Sequence, residues 1–163
     1  MDRKASFEPV VSPDTRVLVL GSLPGDRSLA EQRYYAHPRN QFWHLVGLAI
    51  GSDLVFLDYP DRLQALLEGG IGLWDSVRTA RRSGSLDARL GDVEPNALAE
   101  LASSLPQLKA IAFNGKAACR IGKPECAGLD LPLLPLPSSS PAYAAMPLRE
   151  KERQWLQLRG FLR

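Results

Sequence analysis

Four consecutive apolar residues, Val17-Leu18-Val19-Leu20, run directly into Gly21-Ser22-Leu23-Pro24-Gly25. A strand that is apolar at every position has no face to offer water, so it belongs inside a parallel sheet covered on both sides. The glycines and proline that follow break the run into a tight loop whose backbone a ligand can approach closely. In open α/β proteins, ligands bind beyond the carboxyl ends of such strands. Gly21 to Pro24 is therefore a candidate binding element, though a plain strand-to-helix connection has the same spelling.

The remainder of the chain repeats the alternation. Asp26 or Ser28 caps a short helix through Arg33. Phe42, Leu45, Val46, Ala49 and Ile50 form the stripe of an amphipathic helix ended by Gly51, and Pro60-Asp61 opens another, closed by Gly69-Gly70. Ile71 to Asp75 reads as the second strand, Leu108 to Phe113 as the third and Leu131 to Leu136 as the fourth. Helices follow at Pro95 and Lys116, and a last one turns Leu148, Trp155, Leu158 and Leu162 inward with Arg149, Lys151 and Arg153 toward solvent. Ser76 to Asp92, rich in Arg, Ser and Gly, reads as a long surface loop.

This pattern predicts an α/β three-layer sandwich: a central, mainly parallel four-stranded sheet with helices on both faces. A chain of 163 residues fits a single domain, here 1–163, with 1–14 as a loose lead-in. Four strand ends then share one edge, presenting Gly21–Gly25, Asp75, Asn114-Gly115 and Pro137–Pro141.

Charge is nearly balanced, 20 Lys and Arg against 18 Asp and Glu, so no global basic field announces a polyanionic partner. Arginine is clustered, however: Arg33 and Arg39 flank the first motif, while Arg78, Arg81 and Arg82 share one loop. Guanidinium groups suit bidentate phosphate contacts and also ordinary surface solvation. Two cysteines make no disulfide framework, and two histidines without cysteine neighbours offer no metal-ligand spacing, so neither a metal nor an organic cofactor is expected. No apolar signal core or membrane-length run is present, which places the expectation in the cytoplasm, away from any membrane.

The strand-end loops hold amides, hydroxyls, one carboxylate and aromatics, without a strong nucleophile. Ser138 to Ser140 lacks the Gly-x-Ser-x-Gly elbow, and the first loop matches neither a phosphate-binding P-loop nor a dinucleotide fingerprint. What remains is chemistry by positioning and electrostatics.

Gly21 to Gly25, followed by His37-Pro38-Arg39-Asn40-Gln41-Phe42-Trp43, resembles the uracil-DNA glycosylase superfamily, nearest its hypoxanthine-DNA glycosylase branch. Gly72-Leu73-Trp74-Asp75, Phe113-Asn114-Gly115-Lys116 and Leu136 to Pro141 follow in that superfamily's order, over about Arg16 to Leu162. The resemblance implies a monomeric repair enzyme, at work on the bacterial nucleoid. It would flip a deaminated base (hypoxanthine, with uracil or xanthine as further substrates) out of double-stranded DNA and hydrolyse its N-glycosidic bond. It implies base contacts at Gly21, Ser22, Leu23, Pro24, Phe42, Asn114 and Ser138, with Tyr34 or Tyr35 as a further stacking surface, while the clustered Arg39, Arg78, Arg81 and Arg82 and the hydroxyls of Ser139 and Ser140 suit DNA contacts. Mismatch-specific relatives hold their water with an Asn where this chain has Leu23, and open their second motif with a polar residue where it has Leu136. Asn40 and Asp75 are then the catalytic candidates, Asn40 because an amide both donates to and accepts from a water. Helix capping by Asn40 and turn formation by Asp75 or Asn114 are the plainer alternatives. A binder that kept the fold and lost the chemistry, and a nucleoside hydrolase, are the rival functions.

Overall fold

Val17–Gly21 is buried at every position, as its unbroken apolar sequence requires. The computed structural model describes residues 3–163, and in it this strand is the second of the chain. In order, the elements are β1 (Arg3–Ala5), β2 (Val17–Gly21), α1 (Asp26–Glu31), α2 (Phe42–Ile50), α3 (Tyr59–Glu68), β3 (Ile71–Asp75) and β4 (Val77–Arg81). Then come β5 (Gly91–Pro95), α4 (Leu98–Ser103), β6 (Ala110–Asn114), α5 (Lys116–Glu125), β7 (Leu133–Leu136) and α6 (Leu148–Trp155).

The main sheet has the order β3-β2-β6-β7 and is parallel throughout. The two-residue period of β2 divides its side chains between two cores. Val17 and Val19 pack with Phe42, Leu45 and Val46 of α2, Leu66 of α3 and Trp155 of α6. Leu18 and Leu20 pack on the other side with Leu98 and Ala102 of α4 and Ala118 of α5. The three-layer α/β sandwich expected from the sequence is the fold observed. Because the chain leaves β2 toward β3 on one side and later reaches β6 on the other, the carboxyl end of β2 is a topological switch point. Crevices open at such points.

Two expectations change. Ser76 to Asp92 is not one long loop, since β4 and β5 form a second, antiparallel sheet with β1 in the order β1-β4-β5. Val77 and Ala80 turn inward onto Leu23, while Arg78 and Arg81 face solvent. That short amphipathic strand is disguised by its arginines and by register shifts against β5. Residues 3–14 are correspondingly no loose lead-in: Arg3–Ala5 is an edge strand, and Val10 bridges to Leu73.

Among the described residues no helix is long and apolar enough to cross a membrane. Two assignments on α6 also reverse: Lys151, expected at solvent, is buried, and Leu148, expected inward, is exposed.

Candidate active site

The parallel register brings Gly21 opposite Asp75 and Asn114 opposite Leu136, so four strand ends meet along one edge of the sheet. A side chain at Gly21 has no room, because a Cβ there would lie 2.6 Å from Asp75 Oδ1 and 2.9 Å from the Tyr35 hydroxyl. Gly21→Ala should therefore displace the Asp75 carboxyl, and misplacement on the order of 1 Å commonly costs about 10²-fold in rate. Steady-state turnover by a variant of unchanged fold measures it.

Asp75 is buried, and its Oδ2 has no hydrogen-bond partner. Burial is the main cause that pushes its carboxyl up to about 7; Asp87 adds to the shift and Arg82 opposes it. A carboxyl poised near neutrality beside a crevice has the character of a general base.

Tyr35 covers the aromatic floor. Its ring stacks on Phe42 with centroids 3.8 Å apart and planes 13° apart. This arrangement requires a left-handed backbone at Tyr35, φ 53°, uncommon for a residue with a side chain. Phe42 beneath is wholly inaccessible, covered by Tyr35, so it has no free face for the base stacking expected of it. The reason is the amphipathic stripe, which turns Phe42 into the core between Tyr35 and Trp155. Burial, then the neighbouring Asp75, raise the Tyr35 phenol, so it stays protonated.

A polar network joins the other two strand ends. Asn40 Oδ1 accepts from the Phe42 amide at 3.0 Å and from Ser139 Oγ at 2.7 Å. Asn40, one residue before the N-cap Gln41, thus satisfies the first amide of α2 and reaches the site at once. Because the Phe42 amide can only donate, the Asn40 oxygen is fixed and only Nδ2 is left for a water or substrate. Asn114 accepts from the Ser139 amide at 2.8 Å and donates to Ser139 Oγ at 2.8 Å and the Tyr35 hydroxyl at 3.3 Å. Its amide aligns Ser139 and Tyr35 rather than standing free to read a base. Ser139, expected at DNA, is buried inside this network. Ser138 and Ser140 are partly exposed, each accepting from an amide two residues on.

The first loop is held from behind. Leu23, expected to touch the base, is buried in an apolar cluster with Val77 and Ala80. Its side chain points away from the crevice because the second sheet needs a hydrophobic underside. Leu23→Asn should consequently cost roughly 2–5 kcal/mol of stability, the range for losing a buried leucine, measured by denaturant unfolding. Arg82, expected at phosphates, is only 1% exposed. Its guanidinium donates to the carbonyls of Pro24 at 2.6 Å, Leu23 at 3.3 Å and Gly84 at 2.7 Å. Those buried carbonyls need donors, and an arginine fork supplies several at once. Ser22 donates to Asp87 at 2.6 Å and the Asp26 amide donates to Ser85, so the 82–90 segment wraps the loop.

The exposed arginines of β4 are engaged as well. Arg78 pairs with Glu94 at 2.5 Å and Arg81 with Asp92 at 3.3 Å. Arg39 is exposed in the segment between Tyr35 and α2. Among the described residues no group of three His, Cys, Asp or Glu gathers as a metal site.

A model of the uracil DNA glycosylase superfamily matches residues 8–159. The hypoxanthine DNA glycosylase of Methanosarcina acetivorans is 40% identical over 152 residues, 93% of this chain and 95% of that protein. That of Methanosarcina barkeri is 45% identical over 114 residues, 70% of this chain and 72% of that protein. The solution NMR structure of a Methanosarcina acetivorans protein described as a uracil DNA glycosylase superposes with a TM-score of 0.89 at 37% identity, covering 99% of this chain and 100% of that one.

Proposed function

The chain belongs to the uracil DNA glycosylase superfamily and is a DNA glycosylase for deaminated bases, and from that premise we propose that it releases hypoxanthine from double-stranded DNA, as a monomer. Two relatives matched over most of the chain are named for that base. The observation that carries the reading is the Asp75 carboxyl, buried beside Gly21 with no hydrogen-bond partner on Oδ2. With Leu23 turned into the second sheet, the first loop offers no side-chain amide to the site, and Asp75 is the group left to activate a water.

Hydrolysis proceeds through positive charge on the sugar and negative charge on the departing base. In this reading the flipped base lies against the outer face of Tyr35. Asp75 as carboxylate takes the proton of the attacking water and steadies the sugar cation. Asn40 Nδ2 donates to the same water or to the base. Backbone amides of the Gly21–Pro24 loop and the partly exposed Ser138 line the remaining walls. Exposed Arg39 and Ser140 stand where a phosphate flanking the flipped nucleotide would pass.

End-labelled duplexes carrying one hypoxanthine, uracil or xanthine, incubated with the protein and then cleaved with alkali, test the proposal. Fastest strand scission at hypoxanthine is expected. Faster release of uracil, or no scission at hypoxanthine, overturns the assignment of the base.

A further inference from the structure

The segment between β7 and α6, residues 137–147, leaves the sheet edge that carries Gly21 and Asp75 and is tied down at several points. Trp155 Nε1 donates to the Pro137 carbonyl at 2.9 Å, and the Gln41 amide donates to the Ser139 carbonyl at 3.0 Å. The last tie is a charge. Lys151, 2% exposed, donates from Nζ to Gln41 Oε1 at 3.0 Å and to the Tyr143 carbonyl at 2.8 Å. The same Nζ stands 5.2 Å over the Tyr143 ring. Every one of these partners is neutral. Among the described residues the ion pairs found are made by other groups.

Burying an ammonium without a counter-charge is costly, and burial does lower the Lys151 pKa. Methionine would fill the same volume without that cost. A cation kept at such a position points to an anion from outside the chain. Resting on the reading of this edge as the DNA-facing one, we propose that Lys151 is a positioning residue for the duplex. It holds the Tyr143 turn against the start of α2, and its uncompensated charge draws the phosphates flanking the flipped nucleotide onto the Ser138–Ser140 turn. The role belongs to grip and leaves the chemistry to Asp75 and Asn40.

The test compares Lys151→Met, which keeps volume, with Lys151→Arg, which keeps charge, in binding, single-turnover release and thermal unfolding. For Lys151→Met, duplex affinity should fall by roughly tenfold for damaged and undamaged DNA alike, and the slope of log affinity against log salt should flatten by up to about one. Release from the saturated complex should stay within about threefold, since the group touches no reacting atom. Melting temperature should hold or rise, because an unpaired buried charge has gone. Lys151→Arg should restore the salt slope. An unchanged slope in the Met variant overturns the proposal. So does a weakened, thermally destabilised Met variant whose affinity arginine does not restore. Failure of both Lys151→Met and Lys151→Gln to fold would assign the lysine to the fold alone. Wild-type protein that releases no base from any deaminated duplex would instead strike at the reading of the site itself.

Discussion

Asp75→Asn should lower hypoxanthine release by about 10²- to 10⁴-fold, the usual contribution of a positioned general base, while making the protein more stable at neutral pH and above. The two effects have one origin. In the fold the carboxyl is pushed from an ordinary 3.8 up to about 7, chiefly by burial. A folded value above the unfolded one means the native state favours the neutral acid. The wild-type protein is therefore most stable, as far as this group goes, below the ordinary value. It loses stability as pH rises from about 4 through about 7, and the loss is complete above the folded value. Asparagine cannot ionise. The variant should melt close to wild type at pH 4 and progressively above it toward pH 8.

Activity runs the other way. If the carboxylate is the base, release by the wild type rises as pH passes through about 7 and then levels, while the residual rate of Asp75→Asn stays flat. A purely structural aspartate would give no such opposition between rate and stability. Equal melting shifts at pH 4 and pH 8 would mean the carboxyl titrates normally in the fold, and a near-wild-type rate would remove it from the mechanism.

The parts of this site legible in the sequence are those fixed by strand geometry. An all-apolar strand must be central, a glycine loop must follow it, and parallel register then sets Asp75 against Gly21 and Asn114 against Leu136. Residues whose roles depend on what lies across from them were not legible. Arg82 sits in an arginine-rich stretch that reads as surface, and only the folded loop reveals the buried carbonyls of Leu23 and Pro24 that it serves. Which of Tyr34 and Tyr35 covers Phe42 depends on a left-handed backbone angle at Tyr35 that no periodicity encodes. Leu23 follows the same logic: a hydrophobic residue in a binding-type loop is ambiguous until a second sheet is seen to need it. Lys151 lies on a helix dominated by charged residues, where burial of one of them leaves no trace in the amphipathic pattern.

The second large effect is expected at Asn40, where the acceptor for the first amide of α2 and the proposed catalytic amide share one side chain. Removing a preorganised donor of this kind commonly costs about 10²- to 10³-fold in rate, so Asn40→Ala should lose most base release. The same variant leaves the Phe42 amide uncapped and frees Ser139 Oγ, at a stability cost of about 1 kcal/mol. Alanine alone thus cannot separate the two roles. Asn40→Asp can, because its carboxylate keeps both acceptor bonds, from the Phe42 amide and Ser139 Oγ, while deleting the Nδ2 hydrogens. Helix capping survives, since aspartate caps as well as asparagine. If Nδ2 orients the water or the base, the Asp variant should unfold at the wild-type denaturant midpoint and still release hypoxanthine as slowly as the Ala variant. Single-turnover rates at saturating enzyme, with duplex binding measured alongside, check this without interference from product release. Should Asn40→Asp recover the wild-type rate together with the wild-type midpoint, Asn40 serves the site only by holding Ser139 and the start of α2, and Asp75 alone remains to activate the water.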